Sequence, residues 1–129
     1  MSIASNIQTL QQELNPIGVQ LVAVSKTKPI QDIREAYEAG QRVFGENLVQ
    51  ELVEKQEILP KDIAWHMIGH LQTNKVKYIA PFVTLIHGVD SYKLLKEINK
   101  HALKNNRVID CLLQIYIADE DSKFGLDHV

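Results

Sequence analysis

Leu21-Val-Ala-Val-Ser-Lys26-Thr-Lys-Pro29 is the stretch on which the fold turns. Four apolar residues, small or β-branched for the most part, run into a lysine, and a proline closes the segment. A continuous apolar run with turn chemistry behind it reads as a buried strand of a parallel sheet. Period-two alternation then puts Val22, Val24 and Lys26 on one face. A lysine on the apolar side of a strand end has two readings. It snorkels out as solvated punctuation, or it is desolvated, with a lowered pKa and a neutral amine able to attack a carbonyl.

Working outward, the same strand–helix alternation repeats along the chain. Ile3, Ile7, Leu10 and Leu14 fall on one helical face, and Asn15-Pro16 is expected to end that helix. After the strand around 19–25, Pro29 suits the first turn of a second helix, with Ile30, Ile33 and Tyr37 as its stripe and Gly40 at its C-terminal end. A short strand over 42–44 leads to Asn47, whose spacing to Gln50 is that of a helix N-cap, with Leu48 and Leu52 lining the helix that follows. Strands are expected again at 63–68, 83–87 and 108–118. Helices are expected over 73–80 and from Asp90 or Ser91, with Leu94, Leu95, Ile98 and Ala102 at helical spacing. Such units imply a parallel sheet with right-handed crossovers, either an open doubly wound sheet or part of a (β/α) barrel of the TIM type.

Composition narrows the function. The chain has 129 residues, enough for one domain, and a formal net charge of -2, which gives no basic field for nucleic acid or an acidic membrane surface. The N-terminus lacks the pattern of a signal peptide, and no apolar run approaches the roughly 20 residues that span a bilayer. A cytoplasmic protein is expected. The single cysteine, Cys111, lies in an apolar run and reads as a core residue. Asp119-Glu-Asp-Ser122 reads as a solvated loop. The glycine signatures of dinucleotide, P-loop and serine-hydrolase sites are missing.

The polar residues of chemical interest gather at expected strand ends: Lys26, Asn47, His70, and His87 with Asp90. Ligands of parallel α/β folds bind at these carboxyl ends. His66 and His70, with His87 as a third ligand, would be the donors of a metal-dependent barrel hydrolase. A core position for His66 and a polar site contact for His70 form the other reading.

Four segments together resemble a known family: Ala23-Val-Ser-Lys-Thr-Lys-Pro29, Phe44-Gly-Glu-Asn47, Trp65-His-Met-Ile-Gly-His-Leu-Gln-Thr-Asn-Lys75 and Ser122-Lys-Phe-Gly125. In this order and spacing they are similar to the pyridoxal-phosphate homeostasis proteins, which share a fold with the N-terminal barrel of alanine racemase. The resemblance implies that Lys26 holds pyridoxal 5′-phosphate (PLP) as a Schiff base, with Asn47 and His70 also at the cofactor. Lys28, Lys75 and Lys123 match recurrent family lysines. It further implies a carrier or buffer in PLP homeostasis that passes the cofactor to apo-enzymes, with a PLP-dependent amino-acid racemase as the enzymatic alternative. Residues 1–129 are expected to form part of such a barrel, truncated after about five strands against the usual eight. The family holds the phosphate with segments near the last strands, which are not among the residues here. An unpaired fifth strand, Ile109 to Ile117, would then favour self-association.

Overall fold

Five strands form one wholly parallel sheet in chain order: β1 (Ala23–Val24), β2 (Val43–Glu46), β3 (Ala64–Met67), β4 (Leu85–Val89) and β5 (Asp110–Leu113). The computed structural model describes residues 1–117. Helices α1 (Ile3–Leu14), α2 (Ile30–Glu38), α3 (Val49–Ile58), α4 (Val76–Ile79) and α5 (Tyr92–Lys104) precede and connect the strands. Sequential parallel neighbours joined by helices make the wall of a (β/α) barrel, which selects that framework over the doubly wound sheet.

The core lies between the helices and one face of the sheet. Phe44, Trp65, Met67 and Ile86 point into it from the strands and meet Ile33, Leu52, Val76, Ile79, Leu94 and Ile98 from the helices. Phe44 and Trp65 are register partners whose rings tilt together at 5.9 Å, a favourable aromatic separation. The other face is open. Val24 is 55% exposed and Leu112 is 49% exposed, because no helix covers that side.

Several boundaries differ from expectation for identifiable reasons. β1 has two residues because its lower half is paired by a side chain: the buried Gln41 amide donates to Leu21 O and to Val43 O, both at 2.7 Å. Asn15-Pro16 ends α1 at Leu14, as expected, but the chain does not extend at once. It enters a 3-10 turn over Asn15–Ile17, and Gly18 stops the chain at φ 69°. Only Ile7 of the α1 stripe is buried, and Ser2 supplies a capping box that fixes the helix start. Leu48, not Asn47, is the N-cap of α3, and Leu48 is 61% exposed. β4 starts at Leu85 because Val83 is still held by the α4 turn, its N–H donating to Ile79 O at 2.8 Å. β5 is shorter than the apolar run suggests, and Val108 is 89% exposed. The expected loop at Asp119–Ser122, the Ser122–Gly125 motif and Lys123 lie outside the described residues.

The two leucines assigned to α3 should separate cleanly on mutation. Leu52→Ala empties a fully buried site and is expected to cost about 2–5 kcal/mol. Leu48→Ala should stay within about 0.5 kcal/mol. Urea unfolding followed by tryptophan fluorescence measures both.

Candidate functional site

The carboxyl ends of the strands carry the polar residues. Lys26 lies two residues after β1 and is exposed; its amine makes no hydrogen bond or ion pair with the described residues. Asn47 follows β2 directly and is half-buried. His70 follows β3, exposed, and faces Asp90 at the end of β4, with Nδ1 to Oδ2 at 3.3 Å. Two of the loops are locked by close approach. A Cβ on Gly69 would collide with the side-chain and carbonyl oxygens of Asn47, so only glycine fits there. No side chain caps α3, so the expected Asn47 cap is not made. Asn47 and His70 line a common open groove of about 700 Å³, together with Val53, Gln72, Lys75 and Tyr78. Lys26 does not line it. The strand ends therefore bring Asn47 to His70, while Lys26 follows β1, whose end runs beside that of β2 in the Val24–Gly45 register.

The buried lysine is a different one. Lys55 of α3 is 5% exposed, and its ammonium donates to Ser25 O at 2.7 Å, Glu46 Oε2 at 2.8 Å and Glu51 Oε2 at 2.8 Å. These three acceptors fill its three N–H bonds. The Ser25 hydroxyl also donates to Glu46 Oε2. Glu46 is fully buried, and its second oxygen, Oε1, has no hydrogen-bond partner among the described residues. Burial pushes the Glu46 carboxyl above its ordinary value, against the pull of the Lys55 and Ser25 hydrogen bonds. Glu51 moves the other way: the hydrogen bond from Lys55 holds its carboxyl below the usual value. None of these four residues stood out as a site residue in the sequence. The signal was there in weak form, since Lys55 sits three residues after Leu52 and four before Leu59, on the buried stripe of α3.

His66 and His87 meet on β3 and β4, with Nδ1 to Nε2 at 3.1 Å. One ring must donate and the other accept, so the pair is neutral in at least one member. Burial depresses both imidazoles, and for His66 the neighbouring His87 adds to the effect. His70 is engaged with Asp90 instead, and among the described residues no group of three or more His, Cys, Asp or Glu could hold a metal ion. The hydrolase reading thus lacks its third ligand. Cys111 is half-buried, with its thiol raised by burial, as suits a packing residue.

The sequence profile of the family described as "Alanine racemase, N-terminal domain" matches residues 1–127. The chain is 48% identical to the pyridoxal phosphate homeostasis protein of Aquifex aeolicus over 109 residues, which is 84% of this chain and 48% of that protein. It is 46% identical to the protein of the same name from Pasteurella multocida over 129 residues, covering 96% of this chain and 55% of the relative. Among solved structures it is similar to PipY of Synechococcus elongatus with PLP bound. There the TM-score is 0.87 at 41% identity, covering 98% of this chain and 58% of that one. The chain spans about half the length of the curated relatives it matches.

The histidine pair makes stability depend on pH with a definite sign. The unfolded imidazoles take up protons near about 6.5, while the folded ones resist until a lower pH. Their contribution is therefore full above that value and is lost as pH falls below it. Chemical denaturation from about pH 7.5 to about 5.5 should show the loss, and the double variant His66→Gln, His87→Gln should lack that part of it.

Proposed function

The chain belongs to the alanine racemase N-terminal domain family, and from that premise we propose that it is the lysine-bearing part of a cytoplasmic PLP-homeostasis protein. In this reading Lys26 binds PLP covalently and reversibly, Asn47 and His70 flank the cofactor, and the cofactor is handed to apo-enzymes that require it. The observation that carries the proposal is the placement of Lys26. An exposed primary amine with no competing ion pair among the described residues stands at the carboxyl end of a parallel strand, where ligands of such sheets bind. The relatives named for PLP homeostasis and the PLP-bound PipY structure support it.

The described residues fit the aldehyde end of PLP, and none of their arginines is turned to its phosphate end. The cofactor supplies a carbonyl that condenses with a primary amine with loss of one water and no redox change. Lys26 provides that amine on an exposed turn. The three arginines are committed elsewhere. Arg42 precedes β2 and pairs with Asp62 at 3.3 Å; Arg107 precedes β5 and donates to Ala80 O at 2.7 Å; Arg34 donates to Ile58 O at 3.3 Å. Arg42 and Arg107 lie at the amino ends of their strands, opposite to Lys26, so neither is placed to hold a phosphate beside it.

Homeostasis by storage asks for little beyond this. A reversible bond to one selected amine holds the cofactor and releases it by hydrolysis, and no second proton-transferring group is required. Partners follow from the same surface. The open sheet face exposes Val24 and Leu112, and Ile115 and Ile117 beyond β5 are 47% and 83% exposed, which favours self-association of this chain. No helix among the described residues is long and apolar enough to cross a membrane.

Addition of PLP, borohydride reduction and peptide mass spectrometry test the binding. Stoichiometric label at Lys26, absent in Lys26→Ala, is the expected result. Label spread over Lys28, Lys75 and other surface lysines would show that this chain does not select the amine. Sedimentation velocity tests the association: oligomers are expected, and a compact, protease-resistant monomer would count against it.

A further inference from the structure

Both chain neighbours of Lys26 are fastened to the same buried ion cluster. On one side Ser25 O accepts from Lys55 Nζ at 2.7 Å. On the other, the Thr27 N–H donates to Glu51 Oε2 at 2.8 Å. Lys55 joins the two attachments, because its ammonium also bonds Glu51 Oε2 and Glu46 Oε2. Ser25 O accepts a second bond from Lys28 N at 3.1 Å, which closes a four-residue turn with Lys26 as its second member.

That turn is not one the sequence would adopt unaided. Thr27, its third residue, has φ 64°, a left-handed value that glycine or asparagine takes readily and a β-branched residue resists. Such a conformation persists only where the surroundings over-determine it. Here the surroundings are the Glu51 carboxylate on the Thr27 N–H and the Thr27 hydroxyl on Lys26 O. A cluster of buried charges is also a poor choice for stability alone, since apolar residues of the same volume serve as well or better.

We propose that Lys55, with Glu46 and Glu51, is a positioning group for Lys26. The cluster holds the turn in its left-handed form, so that the Lys26 amine is presented in one place to the aldehyde of a PLP-like ligand. Lys55 takes no part in the chemistry: its ammonium is enclosed and all three of its N–H bonds are used. The inference rests on the reading of Lys26 as the PLP-binding amine, and its test carries a readout that needs no cofactor.

Glu51 is the residue to change first, because its side chain is 23% exposed and its removal leaves the Lys55–Glu46 pair in place. Glu51→Ala should speed amide exchange at Thr27 by about tenfold or more in the cofactor-free protein, the size expected for a lost bond to a charged acceptor. It should lower the equilibrium constant for PLP attachment at Lys26, read from the absorbance of the bound cofactor, by a similar factor. Glu51→Gln keeps an acceptor for the Thr27 N–H and should recover most of both effects. Thr27→Gly removes the resistance to the left-handed turn, so Glu51→Ala should cost less in that background. The paired variant Lys55→Met, Glu46→Leu removes both buried charges without stranding either, and should reproduce the Glu51→Ala phenotype with the fold retained.

Unchanged Thr27 exchange and unchanged Lys26 attachment in Glu51→Ala and in the paired variant would overturn the proposal. If the parent chain itself takes no PLP at Lys26, the binding reading fails separately, and the exchange rates at Thr27 and Lys28 decide the positioning role alone. Acceleration upholds it, and no change overturns it.

Discussion

An ammonium removed from water must be met by acceptors in every direction its protons point, and Lys55 satisfies this by drawing three separate elements together. Its partners are a backbone carbonyl after β1, a carboxylate in β2 and a carboxylate one turn back on α3. Removing one partner of such a buried pair leaves a stranded charge, at a cost of about 3–5 kcal/mol. The arrangement is therefore stiff. It sets the height of α3 against the sheet and the course of the chain as it leaves β1, where Lys26 lies. Most of the core could be repacked with other apolar side chains of similar volume. This cluster could not lose Lys55 or Glu46 alone without stranding the charge of the other.

The second constraint is the one-sidedness of the sheet. All the helices with buried residues pack against the face bearing Phe44, Trp65, Met67 and Ile86, where the apolar burial is concentrated. The opposite face mixes Val24 and Leu112 with the His66–His87 pair. In a closed barrel that face would be the interior, filled with layers of side chains. Two imidazoles in mutual hydrogen bond suit such a place, since each satisfies the other without requiring water. The pairing of β3 with β4 alone explains it, through the His66–Leu85 and Met67–Ile86 register that carries His87 up beside His66.

The strand–helix rhythm was legible because it depends on apolar spacing, and apolar spacing is what the core reads. Every one of the five strands and the helices between them appears in place, and some boundaries moved through particular hydrogen bonds that apolar spacing does not record. Gln41 replacing a ladder bond shortens β1, and the backbone bond from Val83 N–H to Ile79 O delays β4. Neither is visible as periodicity. The candidate site was legible in part: strand-end positions put Lys26, Asn47, His70 and Asp90 at one end of the sheet. What alternation could not reveal was which lysine is desolvated. Lys26 sits after the apolar strand and is exposed, whereas Lys55 sits in a polar-looking helix and is enclosed. Burial of a long charged side chain depends on acceptors supplied from elsewhere in the chain, and one-dimensional spacing does not record them.

These facts divide the task of holding a phosphorylated aldehyde between two kinds of residue. The aldehyde end asks for a reactive amine in a fixed place, which is a problem of backbone geometry. In the proposed reading of Lys26, a strained turn and a buried ion cluster would meet it. The phosphate end asks for concentrated positive charge and N–H donors. The arginines that could supply the charge are turned to Asp62, Ala80 O and Ile58 O. The relatives are about twice as long as this chain, and in a (β/α) barrel a phosphate is often held after the seventh and eighth strands. Selectivity for one lysine and affinity for the phosphate are then separable properties. On the proposal above, the first would reside in the residues around β1, β2 and α3, and can be measured without the second.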